Sequence, residues 1–304
     1  MILHSSTGGK KIKCVATIGA FDGVHRGHLY LLKQVLDSSR TIRLASVLIT
    51  FWPLPSVALN KNPHGFLTDL EQKIKIIKDL GFDHFLILKT DSRLLQTEGE
   101  DFFKKIARNL DIKKLIVGED FRFGRGAKKN AISLKQISLR SGFSVDIVKK
   151  RKYRGAIISS SFIRRALAGG DLKKVKAFLG RNYLVIGKRI RGKGIGTQIG
   201  YPTVNLDLGG FVVPANGVYA VRVFSGTRSF LGACSVGENP TLQKNKKIRV
   251  EIHLLHYFKT VLKERLGVEF LEYIRPQRRF SSLAELTGAI SRDIHHFILP
   301  KYSR

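Results

Sequence analysis

Residues 13–28 are Lys13-Cys-Val-Ala-Thr-Ile-Gly-Ala-Phe-Asp-Gly-Val-His-Arg-Gly-His28. The apolar run that ends at Ile18 predicts a buried strand, and we predict a helix that begins near His28. Between them, glycines allow a close backbone turn, and the two histidines stand three residues apart. A helix N-terminus attracts phosphate through its N–H groups, and paired imidazoles can donate hydrogen bonds to phosphoryl oxygens. Residues 19–28, the histidine turn, are therefore predicted to bind phosphate.

Two other interpretations of the histidine turn stay open. It would also suit an ordinary surface turn or a His-x-x-His metal pair. A zinc site needs a third or fourth ligand, and the neighbouring sequence offers none at a convincing spacing.

Strands and helices are predicted to alternate through the first half of the chain. Apolar runs predict strands at 42–51, 85–88, 115–117 and 145–148. Helices are predicted after the capping-box spacings Thr68-Asp-Leu-Glu71 and Thr97-Glu-Gly-Glu100, and at 131–140. This alternation is typical of a doubly wound parallel sheet with helices on both faces, a Rossmann-like α/β domain. Such sheets bind ligands beyond the carboxyl ends of their strands, where the histidine turn would lie.

The pattern changes after Gly180. Short β-rich runs, such as 217–223, 230–236 and 249–255, are separated by Gly, Pro and Asn, which is typical of an antiparallel barrel or sandwich. A closing helix is predicted at 287–298. We therefore predict two domains, residues 1–180 and residues 181–304.

The composition limits the class of protein. With 43% hydrophobic and 25% charged residues among 304, the chain is expected to fold and not to be largely disordered. The longest apolar run, residues 44–52, is too short to span a membrane, and the opening residues lack the layout of a secretory signal. Cys14 and Cys234 lie far apart, which argues against a disulfide framework and a cysteine zinc site. We expect a cytoplasmic protein with no membrane partner.

The net charge of +31 raises the alternative of a nucleic-acid-binding protein. The excess is spread over both halves, because residues 1–180 carry 34 basic and 15 acidic side chains and residues 181–304 carry 20 and 8. The densest cluster, residues 149–154, has one aromatic residue and no recognisable nucleic-acid-binding motif. Attraction of polyphosphate ligands explains the same charge. No specific nucleic-acid partner is expected.

The histidine turn resembles the His-x-Gly-His signature of nucleotidyltransferases, in the form found in bacterial bifunctional riboflavin kinase/FMN adenylyltransferases, or FAD synthetases. Further segments are similar to that family in the same order, and the resemblance covers nearly the whole chain beyond the first dozen residues. They are Leu67-Thr-Asp-Leu-Glu-Gln-Lys73, Val117-Gly-Glu-Asp-Phe-Arg-Phe-Gly124, Ile158-Ser-Ser-Ser-Phe-Ile-Arg164, Leu179-Gly-Arg181, Gly200-Tyr-Pro-Thr-Val-Asn-Leu206, Pro214-Ala-Asn-Gly-Val-Tyr219 and Val250-Glu-Ile-His-Leu-Leu255.

For the first domain, the resemblance implies transfer of AMP from ATP to FMN. His25 and His28 would be catalytic and hold the ATP phosphates. Asp120 and Arg122 would contact FMN or nucleotide, although Asp120 would also suit a turn cap. The implied ATP contacts are Gly19, Phe21, Asp22, Gly23, Gly27, Ser160, Ser161 and Arg164. The two serines would also suit helix N-caps, and the arginine an exposed helix face.

For the second domain, the resemblance implies an antiparallel barrel that phosphorylates the 5′-hydroxyl of riboflavin. Glu251 would be the base, and Thr203 and Asn205 would hold Mg²⁺, which prefers hard oxygen ligands. The implied ATP contacts of this kinase are Gly187, Lys188, Gly192, Lys193, Pro202 and Thr203. The same segments would also suit an ordinary basic loop, a β-turn and a salt-bridged barrel glutamate.

Three positions depart from the family pattern. Leu54 stands where the family usually has the histidine of Pro-His-Pro, His256 replaces an aspartate, and Thr260-Val-Leu-Lys263 replaces Asp-Leu-Tyr-Gly. The last two would shape the flavin side of the kinase site. An enzyme active only as an adenylyltransferase therefore stays an alternative.

The sequence predicts an enzyme that converts riboflavin to FMN and FMN to FAD, with ATP and Mg²⁺ in both steps. Its expected partners are these small molecules, and we expect a monomer or weak homo-oligomer. A basic nucleic-acid-binding protein on a degenerate nucleotidyltransferase scaffold is the alternative from a different class.

Overall fold

A computed structural model describes residues 2–4, 11–59, 65–153, 155–192, 195–238, 248–255 and 261–302. The chain divides into two compact units, Met1–Ser160 and Ser161–Arg304. Within the described ranges, no helix is long and apolar enough to cross a membrane. The domain boundary near residue 180 stays a prediction.

The first unit is built from alternating strands and helices. Its strands are β1 (Ile2–His4), β2 (Ile12–Ile18), β3 (Ala45–Trp52), β4 (His84–Lys89), β5 (Leu110–Gly118), β6 (Arg122–Phe123), β7 (Lys129–Asn130), β8 (Ser144–Val148), β9 (Lys152–Tyr153) and β10 (Ala156–Ile157). Its helices are α1 (Arg26–Thr41), α2 (Pro55–Ala58), α3 (Leu70–Asp79), α4 (Ser92–Leu95), α5 (Gly99–Ile106), a 3₁₀ turn (Arg125–Ala127) and α6 (Ala131–Ser141). Helix α7 (Ser160–Ala168) spans the junction between the units.

The central sheet has the order β1-β4-β3-β2-β5-β8, and all of its strands are parallel. One face is covered by α1 and α3 and the other by α5 and α6, each through its own cluster of buried apolar side chains. From β2 the chain proceeds first to β3 and later to β5 on the opposite side, so the topological switch point lies between β2 and β5. The prediction of a doubly wound Rossmann-like sheet is confirmed. The short edge strand β1 was missed.

Three helix starts differ from the predictions. Helix α1 begins at Arg26 and not near His28. Helix α3 has a capping box formed by Asp69 and Gln72, one residue beyond the predicted pair. Helix α5 follows Glu98, which makes no side-chain cap hydrogen bond. The Thr68 hydroxyl does not cap α3 because it accepts a hydrogen bond from the Gly23 N–H at 3.1 Å instead.

The second unit is a closed antiparallel barrel preceded by helix α8 (Leu172–Leu179). Its strands are β11 (Tyr183–Ile190), β12 (Thr203–Asp207), β13 (Gly217–Ser225), β14 (Arg228–Glu238), β15 (Ile248–Leu254) and β16 (Arg265–Arg275), in the spatial order β11-β12-β15-β14-β13-β16. A short helix, α9 (Ile195–Gln198), lies between β11 and β12. The predicted antiparallel barrel is confirmed.

The closing helix begins four residues earlier than predicted. It runs as α10 (Leu283–Arg292), continues as a π-helical turn (Asp293–Ile298) and ends in α11 (Leu299–Tyr302). Ile294 and Ile298 pack on the barrel in one apolar cluster. The buried Asp293 carboxylate accepts from the Arg275 guanidinium at 2.7 Å, which ties the helix to the end of β16.

Candidate active sites

The histidine turn leaves the carboxyl end of β2, directly at the switch point of the sheet. His25 is the N-cap of α1, and its Nδ1 accepts a hydrogen bond from the His28 N–H at 3.2 Å. An imidazole that accepts at Nδ1 carries its proton on Nε2 when neutral, so Nε2 is a donor. The two imidazole rings stack with centroids 3.5 Å apart and an interplanar angle of 13°. The turn therefore brings both predicted histidines together at a helix N-terminus, where phosphate binding is favoured.

The backbone of the histidine turn is strained. Phe21 and Val24 have φ angles of +47° and +37°, a region that non-glycine residues rarely adopt. The Phe21 ring makes an edge contact with the His28 ring at 5.3 Å between centroids. A Cβ at Gly19 would lie 3.1 Å from the same phenyl ring, so glycine leaves room for it. This conformation places the phenyl ring against the imidazole and so fixes the imidazole's orientation.

Three other residues predicted to contact ATP, Asp22, Ser160 and Gly27, make contacts that hold the histidine turn in place. The Asp22 carboxylate is buried and accepts from the Leu67 N–H at 2.8 Å and the Thr68 N–H at 3.3 Å. The Ser160 hydroxyl donates to the Asp22 carbonyl at 2.8 Å, and Ser160 is the first residue of α7 and not its cap. A Cβ at Gly27 would lie 3.2 Å from the His25 ring. ATP contacts by these residues stay predictions.

Asp120 and Arg122 follow β5, the neighbour of β2 at the switch point. Asp120 is exposed and pairs with Lys150 at 3.2 Å. Arg122 is exposed in β6, beside the buried and stacked rings of Phe121 and Phe123. These positions suit substrate contact at the mouth of the site, and the contacts stay predictions.

Ser161 and Arg164 follow on α7 in the second unit, the serine exposed and the arginine half-buried. Their contacts with ATP also stay predictions. For the zinc alternative, the structure groups no three His, Cys, Asp or Glu side chains as metal ligands anywhere in the ranges it describes.

Three predicted kinase residues share one face of a strand pair in the barrel, and two of them, Thr203 and Glu251, line a cavity. In the β12–β15 pair, Asn205 lies opposite Glu251 and Thr203 lies opposite His253. On β15 the neighbours of Glu251, Val250 and Ile252, are buried, whereas on β12 Asn205 is itself buried. A cavity of about 620 Å³ opens over this face, and its lining includes Thr203, Glu251 and His253 as well as side chains of α10. Hydroxyl, carboxylate and imidazole groups therefore converge on one cavity.

Arg249 and His253, which the sequence analysis did not single out, contact the predicted kinase residues Glu251 and Pro202. Arg249 donates to the Glu251 carboxylate at 3.1 Å, so the salt-bridged state considered as an alternative is present. His253 Nδ1 donates to the Pro202 carbonyl at 3.0 Å, and its ring makes an edge contact with Tyr201. Burial holds the pKa of His253 below its usual value, and the bond to Pro202 opposes this effect. Both residues stand two positions from Glu251, the spacing that puts side chains on one face of a strand.

Comparisons with known proteins agree with this geometry. A family model described as FAD synthetase matches residues 9–162, and one described as riboflavin kinase matches residues 179–298. The bifunctional riboflavin kinase/FMN adenylyltransferase of Escherichia coli K12 is 33% identical over 295 residues, or 96% of this chain and 94% of the relative. The chain belongs to this bifunctional family. The predicted family resemblance is confirmed.

Other bifunctional riboflavin kinase/FMN adenylyltransferases are equally similar. The enzyme of Buchnera aphidicola subsp. Schizaphis graminum is 36% identical over 291 residues, covering 94% of this chain and 93% of the relative. A crystal structure described as a macrolide-efflux protein from Streptococcus pneumoniae matches with a TM-score of 0.85 at 26% identity, over 97% of this chain and 99% of that one. The similarity thus extends through both the α/β unit and the barrel.

In the kinase half of this bifunctional family member, two of the implied ATP contacts lie in a strand and not in the ordinary basic loop considered as an alternative, and their contact with ATP stays a prediction. Gly187 and Lys188 lie inside β11, where both are paired with β16. A Cβ at Gly187 would meet the Leu206 side chain at 3.0 Å, so this glycine allows close packing. The Lys188 ammonium pairs with Glu264 at 3.1 Å. Gly192 follows the strand, and Lys193 lies outside the described residues.

The positions that depart from the family pattern differ in how deeply they are buried. Leu54 is only 2% exposed, so its side chain belongs to the apolar interior. His256 and Thr260 lie outside the described residues. Val261 and Lys263 are exposed, whereas Leu262 is buried and its carbonyl accepts from Arg189 at 3.0 Å.

Proposed function

We propose that the histidine turn carries out adenylyl transfer and that the β12–β15 face carries out phosphorylation, at separate sites in the two units. As a member of its family, the protein is a transferase that phosphorylates riboflavin to FMN and then transfers AMP from ATP to FMN. The products of the second step are FAD and pyrophosphate. The stacking of His25 on His28 at the switch point is the observation that carries the first assignment.

In adenylyl transfer, an oxygen of the FMN phosphate attacks the α-phosphorus of ATP, and the bond from that phosphorus to pyrophosphate breaks. The nucleophile is already an anion, so catalysis depends on positioning and on stabilisation of charge. His25 Nε2, the His28 ring and the N-terminus of α1 supply donors for the phosphate oxygens. Asp120 and Arg122 of the same unit are proposed to complete the contacts with FMN or nucleotide.

In phosphorylation, the Glu251 carboxylate accepts the proton of the riboflavin 5′-hydroxyl while that oxygen attacks the γ-phosphorus of ATP and ADP leaves. Arg249 donates to the same carboxylate at 3.1 Å, a charge-assisted hydrogen bond that holds it in place. The Thr203 hydroxyl and Asn205 amide carbonyl, on the same face, are the hard oxygen donors that suit Mg²⁺. When bound there, Mg²⁺ would offset the charge of the ATP phosphates.

The ion pair between Arg249 and Glu251 also supports a second candidate function, an adenylyltransferase whose kinase site is impaired. Incubation with riboflavin, ATP and Mg²⁺, with flavins separated over time, distinguishes the two. We expect FMN to appear first and FAD to follow. If the protein makes FAD from FMN but no FMN from riboflavin, the impaired-kinase alternative is correct. A cytoplasmic location and a monomeric or weakly oligomeric state stay predictions.

A further inference from the structure

Lys73 is a buried lysine to which the sequence analysis gave no role. Its side chain, on helix α3, is fully buried, with 0% of its surface exposed. Its ammonium donates to the Ala20 carbonyl at 2.7 Å and to the Thr50 hydroxyl at 3.2 Å, and it lies 6.0 Å from the centre of the Trp52 ring. Burial lowers the pKa of this group to about 8, against the opposing attraction of Asp22 and Asp69. A buried cation is costly even when bonded, so its presence calls for a reason beyond packing.

The Ala20 carbonyl, which accepts a hydrogen bond from Lys73, belongs to the histidine turn. Ala20 lies between the end of β2 and Phe21, the first of the two non-glycine residues with positive φ. Strained backbone of this kind persists only where the surrounding structure over-determines it. The bond from Lys73 fixes the entry to the strained segment.

Residues just before Lys73 bond to the histidine turn at two further positions. The Thr68 hydroxyl accepts from the Gly23 N–H at 3.1 Å, and the Leu67 and Thr68 N–H groups donate to the Asp22 carboxylate. Residues 67–73, the anchor segment, thus bond to three of four successive residues of the turn. The capping box of α3 uses other groups within the segment and orders it independently of the turn.

We propose that the anchor segment positions the histidine turn for adenylyl transfer, with Lys73 and Thr68 as its positioning residues. This inference rests on the proposed function of His25 and His28. Neither anchor residue touches the substrate in this role. Each holds a backbone group whose release lets the strained turn relax and the two imidazoles move. A misplacement of about 1 Å at a reacting group can lower a rate about 10²-fold.

The first test compares Lys73→Met with Lys75→Met in the full-length protein. Lys75 is on the same helix but exposed, and it pairs with Asp79. We expect Lys73→Met to lower kcat/KM for FAD formation from FMN and ATP by about 10²-fold, and Lys75→Met to change it less than about twofold. The riboflavin kinase rate of the same preparations should be unchanged, because that site lies in the other unit.

Two further measurements separate positioning from general stability. The imidazole NMR signals of His25 and His28 should shift in Lys73→Met but not in Lys75→Met. Thr68→Val removes the acceptor for the Gly23 N–H and should lower FAD formation about tenfold, because a buried N–H that loses its acceptor is destabilising and the turn can shift in response. Thr68→Ser, which keeps the hydroxyl, should restore the rate.

The inference is overturned if Lys73→Met is folded, with unshifted imidazole signals and FAD formation within twofold of wild type. If Lys73→Met does not fold, the Thr68 pair decides, and a wild-type rate for Thr68→Val overturns the inference. His28→Ala distinguishes this failure from failure of the proposed function. If His28→Ala still forms FAD, the proposed function of the histidine turn is wrong. If His28→Ala is inactive while the anchor variants stay active, only the role of the anchor segment is wrong.

Discussion

Asn205 lies directly opposite Glu251 across the antiparallel β12–β15 pair. Residues opposite one another in such a pair have Cβ atoms roughly 4.5–5.5 Å apart. The proposed metal ligand and the proposed base therefore reach the same small volume. A slip of one residue between the strands would turn one of them to the other face, so strand register assembles this site.

The first prediction concerns the base. Glu251→Gln should lower FMN formation by about 10²–10⁴-fold, because glutamine keeps the size of the side chain but cannot accept the proton. FAD formation from FMN should stay nearly unchanged. Rates at saturating riboflavin, with ATP binding measured in parallel, test this. FMN production near the wild-type rate would remove Glu251 as the base.

The second prediction concerns Gly192. A Cβ at this position would collide with the side-chain amide of Asn205. Gly192→Ala should weaken use of Mg·ATP by the kinase roughly 5- to 150-fold, which corresponds to an overpacking cost of about 1–3 kcal/mol. Gly169→Ala, where the added methyl makes only ordinary contacts, is the matched control. An unchanged KM for ATP in the Gly192 variant would argue against Asn205 as a ligand.

The third prediction is that His28→Ala abolishes FAD formation while FMN still accumulates from riboflavin. The histidine turn and the β12–β15 face belong to different compact units, so loss of one imidazole should leave phosphorylation intact. Separation of FMN and FAD over time provides the measurement. If a folded variant lost both products, the assignment of two separate sites would be wrong.

The fourth prediction is a pH dependence of stability caused by Lys73. Its pKa falls from 10.5 in the unfolded chain to about 8 in the folded protein. Between these values the unfolded chain holds a proton that the folded protein has released, so the free energy of unfolding rises with pH, by at most about 3 kcal/mol.

Denaturant unfolding of the first unit from pH 7.5 to pH 10.5 measures this rise. Lys73→Met should lose it, and the exposed Lys75→Met variant should keep it. An equal rise in the Lys73→Met variant would assign the effect to other groups.

The fifth prediction concerns the net charge of +31. Binding to generic RNA or duplex DNA should be weak and should fall steeply as salt increases, because it arises from counterion release without base readout. Titration of labelled duplexes at several salt concentrations tests this. Nanomolar, sequence-selective binding at physiological salt would favour the nucleic-acid alternative.

Much of the fold was predictable because its signals are local. Apolar runs that alternate with helical segments indicated the parallel sheet, and short β-rich runs between turn residues indicated the barrel. The His-x-x-His spacing also pointed to one site, since both residues lie within a single turn of chain. The alternative of an ordinary basic loop does not hold at Gly187 and Lys188, because a Gly- and Lys-rich stretch looks alike in a loop and in a barrel strand with close neighbours.

The sequence by itself determined the order of the elements and the chemistry of each motif, since both depend on neighbours along the chain. Only the tertiary structure decided which groups meet. Thr68 accepts from Gly23 across 45 residues, and Lys73 reaches Ala20 across 53. The pairing of Asn205 with Glu251 likewise depends on strand register. Such partners are selected by packing and by the need to satisfy buried polar groups, and no local pattern encodes that choice.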